Sequence, residues 1–115
     1  MTLIPDQYNF SIWRGATFYE TLTIYNGSTV RNLTNSSVTM TITKQPKGDI
    51  LYGPLTSNPT NGITLDASKG IIYVNIEASA TSNFLWKNGY YELSITDNLN
   101  NVVDVILHGN IEVLV

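Results

Sequence analysis

A chain of 115 residues is the size of one domain and can bury a core without covalent staples. It contains no cysteine, so disulfides, a thiol nucleophile and thiolate metal sites are excluded. A net charge of −3, with only 13% of residues charged, argues against nucleic-acid coating and against membrane binding through a polybasic patch.

Residues 1–7 read as an N-terminal arm. Residues 1–4 are mostly apolar, and Pro5 and Asp6 separate them from the first strand. This start has no basic residue and no apolar run of signal-peptide length. The chain is therefore expected to be made in a cytoplasm and not exported by a standard signal. No apolar run approaches the ~20 residues of a membrane helix.

Ile, Val and Thr supply 34 of the 115 residues, and their stiff χ1 angles favour pleated strands over helices. Leu22 and Ile24 alternate with Thr21, Thr23 and Tyr25. Phe18 shares the apolar phase, but so does Glu20, which predicts a bulge or an edge strand. Asn26-Gly27 marks a turn. Val38, Met40 and Ile42 then alternate with Thr39, Thr41 and Thr43, giving an apolar face and a threonine face. Pro46-Lys47-Gly48-Asp49 turns the chain into a strand at 50–52, and Asn58-Pro59-Thr60-Asn61 reads as a mobile loop.

A strand at 63–65 is followed by a break at 66–70. Ile72, Val74 and Ile76 then alternate with Tyr73 and Asn75. Residues 79–85 read as one helical turn bridging two sheets, with Ser79 and Thr81 as candidate caps. Asn88-Gly89 reads as a further turn. Tyr91, Leu93 and Ile95 alternate with Glu92 and Ser94. After a break at 97–101 comes a strand at 102–107, a bend at His108-Gly109, and a last alternating run of Ile111, Val113 and Val115. That last run pairs either within the same domain or with another subunit.

Strands recurring every 8–12 residues predict an all-β fold. The specific expectation is a single antiparallel immunoglobulin-like β-sandwich of seven to nine strands spanning residues 1–115. Its predicted core is Leu22, Met40, Ile42, Val74, Leu93 and Ile95. Gly89-Tyr90-Tyr91-Glu92-Leu93 matches the tyrosine-corner pattern of such sandwiches, with Leu93 at the cysteine position; Tyr91 would then bond backbone a few residues upstream.

The inventory for chemistry is thin. His108 is the one histidine, and Asp104, four residues away, is too far along a strand to orient it. One histidine leaves a zinc site without ligands, and the dispersed carboxylates show no glycosidase pair. Asp97-Asn98-Leu99-Asn100 matches a calcium loop only in part, lacking its Gly and terminal Glu. No phosphate loop and no nucleophile elbow are present. No catalytic residue, cofactor or metal is assigned. Asn9, Asn26, Asn32 and Asn35 stand in Asn-x-Ser/Thr triplets, read as chance in a chain rich in these residues. Trp13, Trp86, Tyr90 and Tyr91 are read as core packing, with sugar stacking as the competing use and a cation–π contact from Arg14 open to Trp13.

Four segments carry a family resemblance. Trp13-Arg14-Gly15-Ala16-Thr17-Phe18 resembles the opening motif of phage baseplate and tail-fibre N-terminal modules. The run from Arg31 through Leu33, Thr34 and Val38 to Met40 resembles their next motif. Gly89-Tyr90-Tyr91-Glu92-Leu93, extended to Asp97, resembles their hairpin. His108-Gly109-Asn110-Ile111-Glu112-Val113 resembles their closing strand. The pattern is similar to the N-terminal domain of the phage baseplate upper protein over residues 8–115. It departs at Ala16, where the family has Asp, and at Asn35-Ser36, where it has Gly-Ala. The resemblance implies a non-enzymatic structural component of a bacteriophage virion, placed at the tail, baseplate or fibre attachment. It would be made in the host cytoplasm and would contact other phage structural proteins, as a homo-oligomer or part of a symmetric assembly, without nucleic acid or membrane. Capsid decoration and a carbohydrate-binding module are the alternatives. Solvent-facing Trp and Tyr gathered on one face would favour sugar. Apolar patches and unpaired strand edges would favour assembly.

Overall fold

The computed structural model describes residues 6–115. The arm expected at residues 1–7 therefore lies, for residues 1–5, outside the described residues. Its last two form β1 (Asp6–Gln7), which pairs in parallel with the strand that ends the chain.

Two sheets face each other. The larger contains β2 (Phe10–Trp13), β6 (Ser36–Thr43), β7 (Ile50–Ser57), β8 (Thr60–Asn61), β11 (Asn88–Asp97) and β12 (Val102–Leu114), together with β1. The smaller runs β3 (Phe18–Thr23), β10 (Ile71–Ile76), β9 (Ile63–Asp66). A separate hairpin joins β4 (Tyr25–Asn26) to β5 (Thr29–Val30) through Gly27 at φ +69°. One helical turn, α1 (Ala78–Thr81), leads from the smaller sheet to the larger. Seven of the strand pairings are antiparallel; β1 and β2 run parallel to β12. The expected all-β sandwich is the fold, with most strand pairs antiparallel. Among the described residues, eight strands have four residues or more, and four two-residue strands add to them.

Alternation builds the core. Val38, Met40 and Ile42 of β6 and Tyr91, Leu93 and Ile95 of β11 are fully buried. Ile72, Val74 and Ile76 of β10 meet them from the other sheet. Five of the six expected core residues are fully buried, whereas Leu22 is only half-buried. Its strand, β3, is an edge among the described residues, and an edge strand is covered on fewer sides. The same placement settles Glu20: β3 pairs with β10 over six consecutive residues without a bulge, and Glu20 sits at an edge.

Three local expectations are corrected. Asn88-Gly89 is not a turn but the start of β11. Gly89 is buried there, where a Cβ would stand 3.1 Å from the Trp86 ring and 3.3 Å from Ile42. The bend expected at His108-Gly109 is absent, and β12 runs unbroken through both residues. Glycine at 109 is explained by close approach: a Cβ would collide with the Tyr8 carbonyl oxygen. The end of the chain has its partners within the sandwich. Glu112 is in register with Asn88 on one side and with Ser11 on the other. Finally, β2 is a strand outside the expected set, although Phe10 and Ile12 alternate with Ser11 and Trp13.

The helical turn is shorter than expected and is not capped by a side chain. Thr81 is instead fully buried and ties α1 to the turn before β3. Its Oγ1 donates to the Ala16 carbonyl at 2.8 Å and accepts from the Gly15 N–H at 3.1 Å.

Candidate functional site

The N-terminal segment is fastened across β12. The Tyr8 N–H donates to the His108 carbonyl at 2.9 Å, and the Asn110 N–H donates to Asn9 Oδ1 at 2.9 Å. Below this crossing, the Tyr91 hydroxyl donates to the Tyr8 carbonyl at 2.6 Å. Tyr91 is thus buried and bonded to backbone, but its partner comes from the start of the chain. The expected local corner is replaced by a long-range latch. Burial, followed by the influence of Tyr8 and Glu20, pushes the Tyr91 hydroxyl well above its usual pKa. Phe10 packs against it with ring centroids 4.8 Å apart.

His108 and Asp104 are kept apart by a bulge. Leu93 pairs with Leu107 and Ser94 with Val105, so Ile106 is the extra residue. The pleat phase changes across it. Asp104 is in register with inward-facing Ile95, and His108 with outward-facing Glu92. Asp104 accepts from Arg31 Nη2 at 3.3 Å, joining the segment after β5 to β12. On the outer face, the Tyr90 hydroxyl donates to Glu92 Oε1 at 3.3 Å, and its ring lies 6.2 Å from His108. Burial and the negative Glu92 carboxylate raise the Tyr90 pKa. This outer-face group shows no hydrogen bond between His108 and a carboxylate.

The Asp97 carboxylate is occupied by its own turn. Oδ1 accepts from the Leu99 N–H at 3.0 Å, and Oδ2 from Asn100 Nδ2 at 2.9 Å. The bond from Asn100 and then that from Leu99 hold its pKa below the usual carboxylate value. Among the described residues no group of three His, Asp or Glu side chains is placed to hold a metal ion. Asn9 and Asn32 use their side-chain oxygens on backbone N–H groups of this chain.

The aromatic residues divide. Trp86 is half-buried and stacks on Phe84 at 5.0 Å, as the core reading expects. Trp13 is not core: it is 58% exposed. Arg14 makes no use of it, its Nε donating instead to the Phe84 carbonyl at 2.8 Å.

Exposed apolar side chains gather at the two ends of β12. At its start, the hairpin from β11 carries Leu99, Val102 and Val103, all at least half exposed. At its finish stand Trp13, in register with Leu114, and Val115. Leu85 joins this end, since Arg14 bonds both the Leu114 and the Phe84 carbonyls. A strand of this length spans about 40 Å, comparable to the 39 Å long axis of the molecule. The two patches therefore cap opposite ends. Between them, a groove of about 530 Å³ runs between residues 22–25 and 105–107, beside the β3 edge that is unpaired among the described residues.

No family model matches the chain. A stretch of 47 residues is 47% identical to cathepsin S of Bos taurus, covering 40% of this chain and 14% of that protein. The chain thus spans a small part of that relative's length. Among solved structures, the chain is similar to the crystal structure of the ZIG-8–RIG-5 IG1–IG1 heterodimer. The match has 16% identity and a TM-score of 0.46, and covers 96% of this chain and 85% of that one.

Proposed function

We propose that this chain is a non-enzymatic structural module of a bacteriophage virion, acting at the tail, baseplate or fibre attachment through protein–protein contacts. One observation carries the contact reading: two groups of solvent-exposed apolar side chains stand at opposite ends of β12, with Leu99, Val102 and Val103 at one and Trp13, Leu85 and Val115 at the other. Grouped exposed apolar residues are costly in water and mark surfaces that a partner covers. Two patches at opposite ends suit a part held between neighbours, and a symmetric assembly would repeat such contacts. The virion placement rests on the motif resemblance at residues 13–18, 31–40, 89–97 and 108–113.

The chemistry agrees with that role. His108 and Asp104 face opposite sides of β12, and the Asp97 carboxylate is committed to its turn. The partners on this reading are other virion proteins, with copies of the chain related by symmetry. Locating the chain in purified particles of the source phage by cryo-electron microscopy tests the reading. Density for the sandwich in the tail or baseplate, in contact through both ends of β12, supports it. Density on the capsid shell would move the role to decoration, and absence from the particle would overturn the virion reading.

A further inference from the structure

The outward face of the smaller sheet carries a second surface of different chemistry. Alternation places Tyr19, Thr21 and Thr23 of β3 on it, with Ile71, Tyr73 and Asn75 of β10 and Thr64 of β9. Register sets Tyr73 between Thr21 and Thr64, and Tyr19 opposite Asn75. The two tyrosine rings lie 6.4 Å apart and are inclined by only 28°. Tyr19 is 58% exposed. None of these seven side chains carries a formal charge. Asp66 shares this face at its margin, in register with Ile71, and pairs there with Lys69 at 3.8 Å.

The stacked pair, with Tyr19 exposed and Tyr73 half-buried, offers aromatic surface with polar hydroxyl tips. Thr21, Thr64 and Asn75 surround them with neutral donors and acceptors. That combination matches a sugar ring, which presents C–H groups on its face and hydroxyls around its rim. Charge decides between occupants. A nucleic-acid strand also stacks on aromatics, but it needs a cationic groove along its phosphates. This face has none, and the chain is net negative. An acidic glycan meets the same objection. An apolar peptide would leave the threonines and the asparagine against carbon, at a desolvation cost.

We propose that Tyr19 and Tyr73 form a stacking platform for a neutral glycan chain, with Thr21, Thr64 and Asn75 bonding its hydroxyls. The proposal does not rest on the apolar ends of β12, so it is tested on the isolated chain without any particle.

The experiment is an NMR titration of the purified chain with maltohexaose, cellohexaose, xylohexaose and chitohexaose. At least one of these is expected to shift the Tyr19 and Tyr73 ring resonances and the Thr21, Thr64 and Asn75 amides, with affinity of about millimolar order. Tyr19→Ala and Tyr73→Ala are expected to weaken it about tenfold or more, whereas Tyr90→Ala, an aromatic on the outer face of the larger sheet, leaves it unchanged. Thermal melts confirm folding. If Tyr73→Ala fails to fold, the exposed Tyr19→Ala decides. No shift with any of these oligosaccharides overturns the proposal. So does binding that survives Tyr19→Ala, or shifts confined to another face.

Discussion

The Tyr91 hydroxyl donates to the Tyr8 carbonyl oxygen at 2.6 Å across 83 positions of sequence. This bond joins the middle of the central strand β11 to the segment that enters the larger sheet. Tyr91→Phe keeps the ring and removes only the donor. It should cost about 0.5–1.5 kcal/mol in denaturant melts. Amide exchange should quicken first at Tyr8 and Asn110, whose N–H bonds hold the same crossing. Unchanged stability and unchanged exchange would mean that the latch contributes nothing.

Leu93 and Leu22 offer a paired test of the core. Leu93 is fully buried between the sheets, so Leu93→Ala should cost about 2–5 kcal/mol. Leu22 sits half-buried on the β3 edge, and Leu22→Ala should cost clearly less. Equal losses in matched denaturant melts would contradict the burial difference.

Gly109→Ala tests the close approach of Tyr8 to β12. The added methyl meets main-chain atoms, which cannot yield as a flexible side chain can. A loss of about 1–3 kcal/mol is expected, with exchange rising at Tyr8. A variant as stable as the parent would show that the N-terminal segment moves aside without cost.

The Asp97 turn gives a pH dependence whose sign comes from its lowered pKa. The ionised form is favoured when folded, so its contribution is present above the unfolded carboxylate pKa. It is lost as pH falls through the lower folded value. The Leu99 and Asn100 amide shifts should therefore titrate in acid with a midpoint below the usual carboxylate value. Asp97→Asn should abolish that titration. Amide shifts that titrate at the ordinary value would contradict the bonded turn.

Much of this fold is legible because local alternation and tertiary burial agree. Val38, Met40 and Ile42, and likewise Ile72, Val74 and Ile76, show their buried face in the sequence itself. The illegible part depends on non-local approach. Gly89 and Gly109 look like turn residues, yet both lie within strands where another part of the chain comes close. Phe10 and Ile12 carry the alternation of β2, but a run of four residues offers little periodicity to read. The pattern around Tyr91 marks it as bonded, while its partner Tyr8 is set by the parallel docking of β1 and β2 on β12. The surfaces are harder still. Val102 and Val103 read as an ordinary apolar strand start, yet both are exposed. The Tyr19–Tyr73 pairing needs the register between β3 and β10, which no local pattern encodes.

The proposed assembly through the two ends of β12 is tested most directly by hydrogen–deuterium exchange, comparing the isolated chain with the chain in the proposed virion assembly. The account predicts new protection at residues 97–103 and at residues 13–14, 84–86 and 114–115. The outer face of β6 and β11 should be unchanged. Protection confined to other surfaces, or exchange identical in both states, would contradict it.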